Sequence, residues 1–515
     1  MLMPYKNEPL TNFNLPENRA AMLEALKLVD SQKGQHCPLV INGERIDTEG
    51  KITVVNPSKS SEVLGTTAKA TKDLAEKAMQ SALTAFETWK HVPAAERANY
   101  LFNAAAIIRR RKHEFSALLV EEAGKIWVEA DADTAEAIDF LEYYGRQMLK
   151  YDQGMELIPL PNEQNICKYI PIGVGLVISP WNFPLAILVG MTAAAIVAGN
   201  TVIMKPASTT PLIAYKFMEV LEEIKLPKGV VNYLPGPGGE VGDYLTAHPS
   251  TRFINFTGSA EVGLRINETA AKMAPGQKWI KRVVAEMGGK DFIFVDSEAD
   301  LELAASAIVT SAFGFQGQKC SACSRAIIDE SIYDELVEKI VAKTKELKVG
   351  PAREEGINVA PVIDENSLNK VLKYVEIGKE EGKLLVGGTR VSEDGYFVAP
   401  TVIGDIDRNA RLAQEEVFGP LVALIKCKGF EDGIAVANGT VYGLTGAFIS
   451  KNREKVEIAK RELHCGNLYI NRKCTGALVG AEPFGGFNMS GTDSKAGGAD
   501  YLLLFLQAKT IAEQL

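Results

Sequence analysis

Cys320 stands in Gly317-Gln318-Lys319-Cys320-Ser321-Ala322-Cys323, on a connection between a helical pattern over 303–315 and a β-rich run that starts at Ala326. A thiol on such a connection is reachable by solvent, and nearby hydrogen-bond donors favour its thiolate, the form that attacks carbonyl carbon. A packing role fits equally, and with Cys323 it forms a Cys-x-x-Cys that suits thiol exchange or half of a zinc site. No second such pair exists, and His36, His91, His113, His248 and His464 lie far off in sequence, so no metal is expected. Glu286 ends the apolar run 282–285, where the chain turns on Gly288 and Gly289. A carboxyl group shielded from water there has its proton affinity raised and can act as a base near neutral pH; it can also simply stabilise the turn. Asn182, in Pro180-Trp181-Asn182-Phe183-Pro184, is either a rigid donor toward developing negative charge or an ordinary turn residue. Two glycine loops complete the set: Gly236-Pro237-Gly238-Gly239-Glu240-Val241-Gly242, and Phe256-Thr257-Gly258-Ser259, which ends a strand pattern and opens a helical one. The free amides and dipole of such a helix start can hold a pyrophosphate.

Groups so far apart in sequence meet only if strand ends bring them together. Strand patterns at 172–179, 201–204, 230–234, 253–256 and 282–285 alternate with helical ones at 185–198, 212–221, 239–247 and 261–274. That alternation predicts a doubly wound α/β unit with a parallel sheet. A second α/β set follows over 291–470, with strands at 292–295, 326–328 and 422–426. Residues 170–204 carry no charge and are long enough to span a bilayer. Pro171, Gly173, Gly175, Pro180, Pro184, Gly199 and Asn200 divide them into pieces the length of soluble elements, so no membrane segment is expected. Helical patterns at 71–89, 94–111 and 112–123 read as scaffold, and the pattern at Met22, Leu26 and Val29 within 1–35 as an accessory segment. The run Arg109-Arg110-Arg111-Lys112, followed by Glu114, Glu121 and Glu122, reads as a solvated helix face. The apolar, β-prone tail 501–508 reads as an edge strand paired across a subunit interface.

With 515 residues, 46% hydrophobic and 23% charged, the chain is globular and has about three structural units. Its 56 Lys+Arg against 65 Asp+Glu leave a net charge of −9, so no positive field gathers nucleic acid or anionic lipid. Seven cysteines, an odd number, and no apolar signal core in residues 1–10 point to a cytoplasmic protein without disulfides.

Taken together, Pro180-Trp181-Asn182-Phe183-Pro184, Phe256-Thr257-Gly258-Ser259, Glu286-Met287-Gly288-Gly289-Lys290, Gly317-Gln318-Lys319-Cys320 and Glu415-Glu416-Val417-Phe418-Gly419-Pro420 resemble the NAD(P)-dependent aldehyde dehydrogenase superfamily over 39–515. Met287 replaces the leucine usual after the base. The resemblance implies two doubly wound α/β domains plus a small β-flap. The boundaries are an N-terminal extension at 1–35, an NAD-binding domain at 36–152 and 172–287, a catalytic domain at 288–490, and an oligomerisation flap at 153–171 and 491–515. It implies Cys320 as nucleophile, Asn182 with the Cys320 backbone N–H as oxyanion hole, and Glu286 as activator of the hydrolytic water. NAD would be held by Lys205, Ser208, Gly238, Gly258, Ser259, Glu416 and Phe418. Ser208 replaces a glutamate that many NAD-restricted members carry, so NAD is expected to be preferred and NADP tolerated. Gly317 to Ala322 and Asn471-Arg472-Lys473-Cys474-Thr475-Gly476-Ala477 look like the branch acting on L-glutamate γ-semialdehyde in proline breakdown, with Phe183, Ser321, Gly476 and Ala477 toward the substrate. The resemblance also implies a homodimer or a dimer-based homo-oligomer. The rival readings are an enzyme for succinate semialdehyde or one acylating CoA, a nucleotide-binding protein without catalysis, and a thiol–disulfide protein using Cys320 and Cys323.

Overall fold

The computed structural model describes residues 3–515. Two seven-stranded sheets dominate it. In the first, Arg282–Glu286, Phe253–Thr257, Val174–Ile178, Thr201–Lys205 and Val231–Tyr233 run parallel, and Leu39–Ile41 and Glu44–Ile46 extend it antiparallel. These are short runs rich in Val and Ile; every residue of Thr201–Lys205 is buried, as expected of a sheet covered by helices on both faces. The uncharged crossover Ala186–Val197 is nearly all buried. Its 12 residues reach about 18 Å, well short of a bilayer core. Among the described residues no helix is long and apolar enough to cross a membrane.

The second sheet has the order Lys383–Val386, Thr401–Gly404, Leu421–Cys427, Arg325–Asp329, Phe292–Val295, Thr445–Ile449, Asn467–Ile470, and only its first pair is antiparallel. A separate hairpin pairs Glu163–Pro171 with Leu506–Gln514 along nine residues. Ligands of open parallel sheets bind beyond the carboxyl ends of the strands. The loops carrying Asn182, Lys205, Gly238, Gly258 and Glu286 all leave the first sheet at that edge.

Three sequence expectations change. The tail 501–508 is not one strand: Ala499–Phe505 is a 3-10 segment and the strand begins at Leu506. Tyr501 is buried, stacks on Tyr144 and donates its hydroxyl to Asn255 Oδ1, so tertiary packing overrides β-propensity. The run at 109–122 is only partly a solvated face. Arg109 and Arg110 are exposed, but Lys112 is buried against Asp131, and Glu121 and Glu122 are buried. Glu122 accepts from the N–H groups of Leu212 and Ile213, satisfying the start of helix Pro211–Glu223. The accessory segment before helix Pro16–Gln32 reaches the central cavity, which Glu8 and Leu10 help to line.

Candidate active site

The loop that carries Cys320 is built under backbone constraint. Helix Leu301–Phe313, capped by Asp300, ends in a turn where Phe315, Gln316 and Gly317 all have positive φ, 46°, 56° and 66°. A Cβ at Gly317 would overlap the Gly419 carbonyl, so only glycine fits. Buried side chains hold the strained turn: Gln316 donates to the Gly124 and Pro361 carbonyls, and Gln318 Oε1 accepts from Ile363 N–H at 2.9 Å. The next residues place the Cys320 thiol on a cavity of about 430 Å³. Glu286, Phe183, Ser321, Gly476 and Ala477 line the same cavity. Asn182 is buried and its Nδ2 donates to the Gln318 carbonyl at 3.1 Å, which sets its amide two residues before Cys320 with one N–H to spare.

Burial pushes the Cys320 thiol well above its ordinary value, and the carboxyl groups of Asp291, Glu286, Glu416 and Glu136 push it the same way. Against the expectation that neighbouring donors favour the thiolate, the groups around this thiol favour its protonated form. Glu286 closes strand Arg282–Glu286. Burial pushes its carboxyl up to about 8, against the hydrogen bonds from Ser494 Oγ and Gly486 N–H. Oε1 takes the Ser494 hydroxyl, and Oε2 has no partner.

Cys323 and Cys474 are fully buried beneath this loop. The Cys474 thiol donates to the Ser321 carbonyl at 3.4 Å and so ties the 471–477 segment to the cysteine loop. All seven cysteines are free. Glu416 accepts from Gly289 N–H at 3.0 Å, and Phe418, in the left-handed region with φ 63°, sets its ring edge-on to Trp181 at 5.4 Å. Both line a small cleft beside Gly289 and Lys319.

Beyond the other strand ends, the residues suit a dinucleotide. Lys205 is buried, its amine has only a 3.5 Å contact to the Pro206 carbonyl, and burial lowers it to about 8. Such an underused donor fits a ribose hydroxyl. A Cβ at Gly238 or Gly239 would meet nothing, leaving an open backbone cradle. Ser259 accepts from Val262 N–H as the N-cap of helix Ala260–Ala271, which leaves its own hydroxyl proton for a phosphate oxygen. Ser208 is exposed and neutral.

Several further groups surround the cavity. Glu129, Glu136 and Asp139 line it from helix Trp127–Tyr151. Lys319 pairs with Glu129 at 2.7 Å, and buried Lys125 sits 3.2 Å from Asp133 and over the Phe183 ring. Lys319 and Phe183 lie far from this helix in the chain, and its buried acidic residues interrupt the apolar stripe, so neither sequence neighbours nor periodicity marked the set.

Residues 45–511 match the aldehyde dehydrogenase family. The chain is 61% identical to the 1-pyrroline-5-carboxylate dehydrogenase of Geobacillus kaustophilus over 513 residues, covering all of both. It is likewise 61% identical over 515 residues to the protein of that name from Bacillus cytotoxicus, again covering all of both. The solved structure of 1-pyrroline-5-carboxylate dehydrogenase from Thermus with bound NAD is 52% identical, superposes with a TM-score of 0.99, and is covered in full by the full chain.

Proposed function

The chain belongs to the aldehyde dehydrogenase family, and from that premise we propose that it oxidises L-glutamate γ-semialdehyde, the open form of 1-pyrroline-5-carboxylate, to L-glutamate with NAD, a step of proline degradation. The observation that carries this reading is a thiol, a carboxyl group of raised pKa, and the Ser321, Gly476 and Ala477 segments sharing one cavity.

Cys320 gives its proton to solvent water, its thiolate forms a C–S bond to the aldehyde carbon, and the carbonyl π pair moves to oxygen. The spare Asn182 N–H and the Cys320 backbone N–H hold that alkoxide. Lys205, Gly238, Gly258 and Ser259 hold the adenosine and pyrophosphate of NAD, and Glu416 with Phe418 its nicotinamide half. The chemistry supplied by bound NAD is acceptance of the hydride, which leaves a thioester on Cys320. Ionised Glu286 takes a proton from water, and the resulting attack releases the acid and restores the thiol. Ser321 and the backbone N–H groups at Gly476 and Ala477 receive the α-carboxylate. With no carboxylate at position 208 to repel a 2′-phosphate, NAD is preferred and NADP tolerated.

The same reading makes the protein cytoplasmic and a homodimer or dimer-based homo-oligomer joined through its hairpin, with neither nucleic acid nor membrane as partner. Its test is coenzyme reduction with a panel of aldehydes, each with NAD and with NADP. Pyrroline-5-carboxylate should give the highest kcat/KM, without CoA, and a slower but measurable rate with NADP. A higher kcat/KM for succinate semialdehyde, or a requirement for CoA, contradicts the substrate; no rate with saturating NADP contradicts the tolerance.

A further inference from the structure

Nothing in the chemistry above uses residues 3–13, yet this segment is fastened to both walls of the cavity. One wall is helix Trp127–Tyr151, which presents Glu129, Glu136 and Asp139. The other contains residues 476–479. Among the described residues no hydrogen bond joins those two walls directly. The N-terminal segment supplies the bridge: Val479 O accepts from Tyr5 Oη at 3.2 Å and from Asn7 Nδ2 at 3.0 Å, and the same amide reaches Asp139 Oδ2 at 2.9 Å.

Its own anchorage is strong. Glu8 N–H donates to Asp139 Oδ1 at 2.7 Å, and Thr11 gives its N–H and its hydroxyl to Asp131. Asp131 and Asp139 are eight residues apart on one helix face, and both are buried. Buried carboxylates need such partners, so the segment is fixed in place rather than draped over the surface. Lys112 Nζ holds Pro9 O at 2.9 Å, and Arg109 holds Glu8 at 2.7 Å. Gly480 follows the bridged residue, and a Cβ there would meet the Tyr143 and Tyr5 rings, so the end of the substrate loop is also wedged.

We propose that residues 3–13 are a positioning strap: Tyr5 and Asn7, by tying Val479 to Asp139, hold the turn at Gly476 and Ala477 at the spacing that receives an α-amino-acid semialdehyde. This rests on the reading of that turn as the α-carboxylate site. The strap touches neither Cys320 nor Glu286, so its loss loosens recognition of the substrate's far end and leaves the chemistry at the aldehyde carbon intact.

The experiment compares the wild type with Tyr5→Phe, Asn7→Ala and the double variant, with saturating NAD, on pyrroline-5-carboxylate and on propanal, which has no α-carboxylate. Loss of both hydrogen bonds to Val479 O should raise KM for pyrroline-5-carboxylate about tenfold in the double variant. Its kcat, and kcat/KM for propanal, should stay within about twofold. Equal losses on both aldehydes, or an unchanged KM for pyrroline-5-carboxylate, overturn the strap. A double variant too unstable to assay gives way to Asn7→Ala alone, for which about threefold is expected and no change is contrary. A wild type that prefers a different polar semialdehyde contradicts the substrate reading, and the strap is then scored on that aldehyde against propanal. A wild type that prefers propanal overturns both.

Discussion

The thiol at Cys320 and the carboxyl at Glu286 both act in their deprotonated forms, so both favour higher pH. Burial and four carboxyl groups keep the thiol protonated, while burial pushes Glu286 up to about 8. A base works only when ionised, and below its pKa the ionised fraction rises tenfold per pH unit. Where hydrolysis limits turnover, kcat therefore climbs toward pH 8 and levels above it. The Ser494 hydroxyl stabilises the ionised form, so Ser494→Ala should move that limb to higher pH; an unmoved limb, or one at lower pH, contradicts the assignment. Residue types and neighbours in sequence were enough to single out Cys320, Glu286 and Asn182. What they could not supply was environment: Ser494 meets Glu286 across 208 residues, and the four carboxyl groups that raise the thiol come from three separate segments.

Elements were legible wherever burial wrote a simple pattern. The five parallel strands of the first sheet and helix Ala186–Val197 are apolar runs, and each lies within a residue or two of its expected place, whereas the antiparallel Leu39–Ile41 and Glu44–Ile46 gave no such pattern. Helix Trp127–Tyr151 escaped because Asp131, Asp133 and Asp139 are buried on it, which destroys the apolar stripe that marks an amphipathic helix. Those carboxylates are functional attachments: Asp133 receives Ala186 N–H and faces Lys125, and Asp131 receives Thr11 and Lys112. Asp131→Ala should lower stability by about 3 kcal/mol, because it strands buried Lys112 as well as the strap, and urea unfolding measures it. A change under about 0.5 kcal/mol would place the pair among surface ion pairs instead.

At the scale of the molecule, two α/β units bring their loops to one cavity; the alternation of strand and helix patterns pointed to two such sets, and nothing in it showed the meeting place. The N-terminal segment was the least legible part: its polar residues look like a solvated leader until Asp131, Asp139 and Val479 are known to face it. The two-stranded ribbon of Glu163–Pro171 with Leu506–Gln514 joins the core through Leu506 and Tyr169 at one end, and most of its final strand is exposed. The proposed assembly through this ribbon predicts a homo-oligomer in sedimentation velocity that deletion of residues 506–515 converts to monomer; a deletion variant of unchanged oligomeric state would assign assembly to another surface.

The central claim is a covalent bond between Cys320 and the carbon being oxidised, resolved by Glu286. Glu286→Gln, mixed with NAD and pyrroline-5-carboxylate and quenched in acid within seconds, should carry a γ-glutamyl thioester that peptide mass spectrometry locates on Cys320. The same adduct on Cys323 or Cys474, or NADH release stoichiometric with protein and no adduct on any cysteine, would contradict the account.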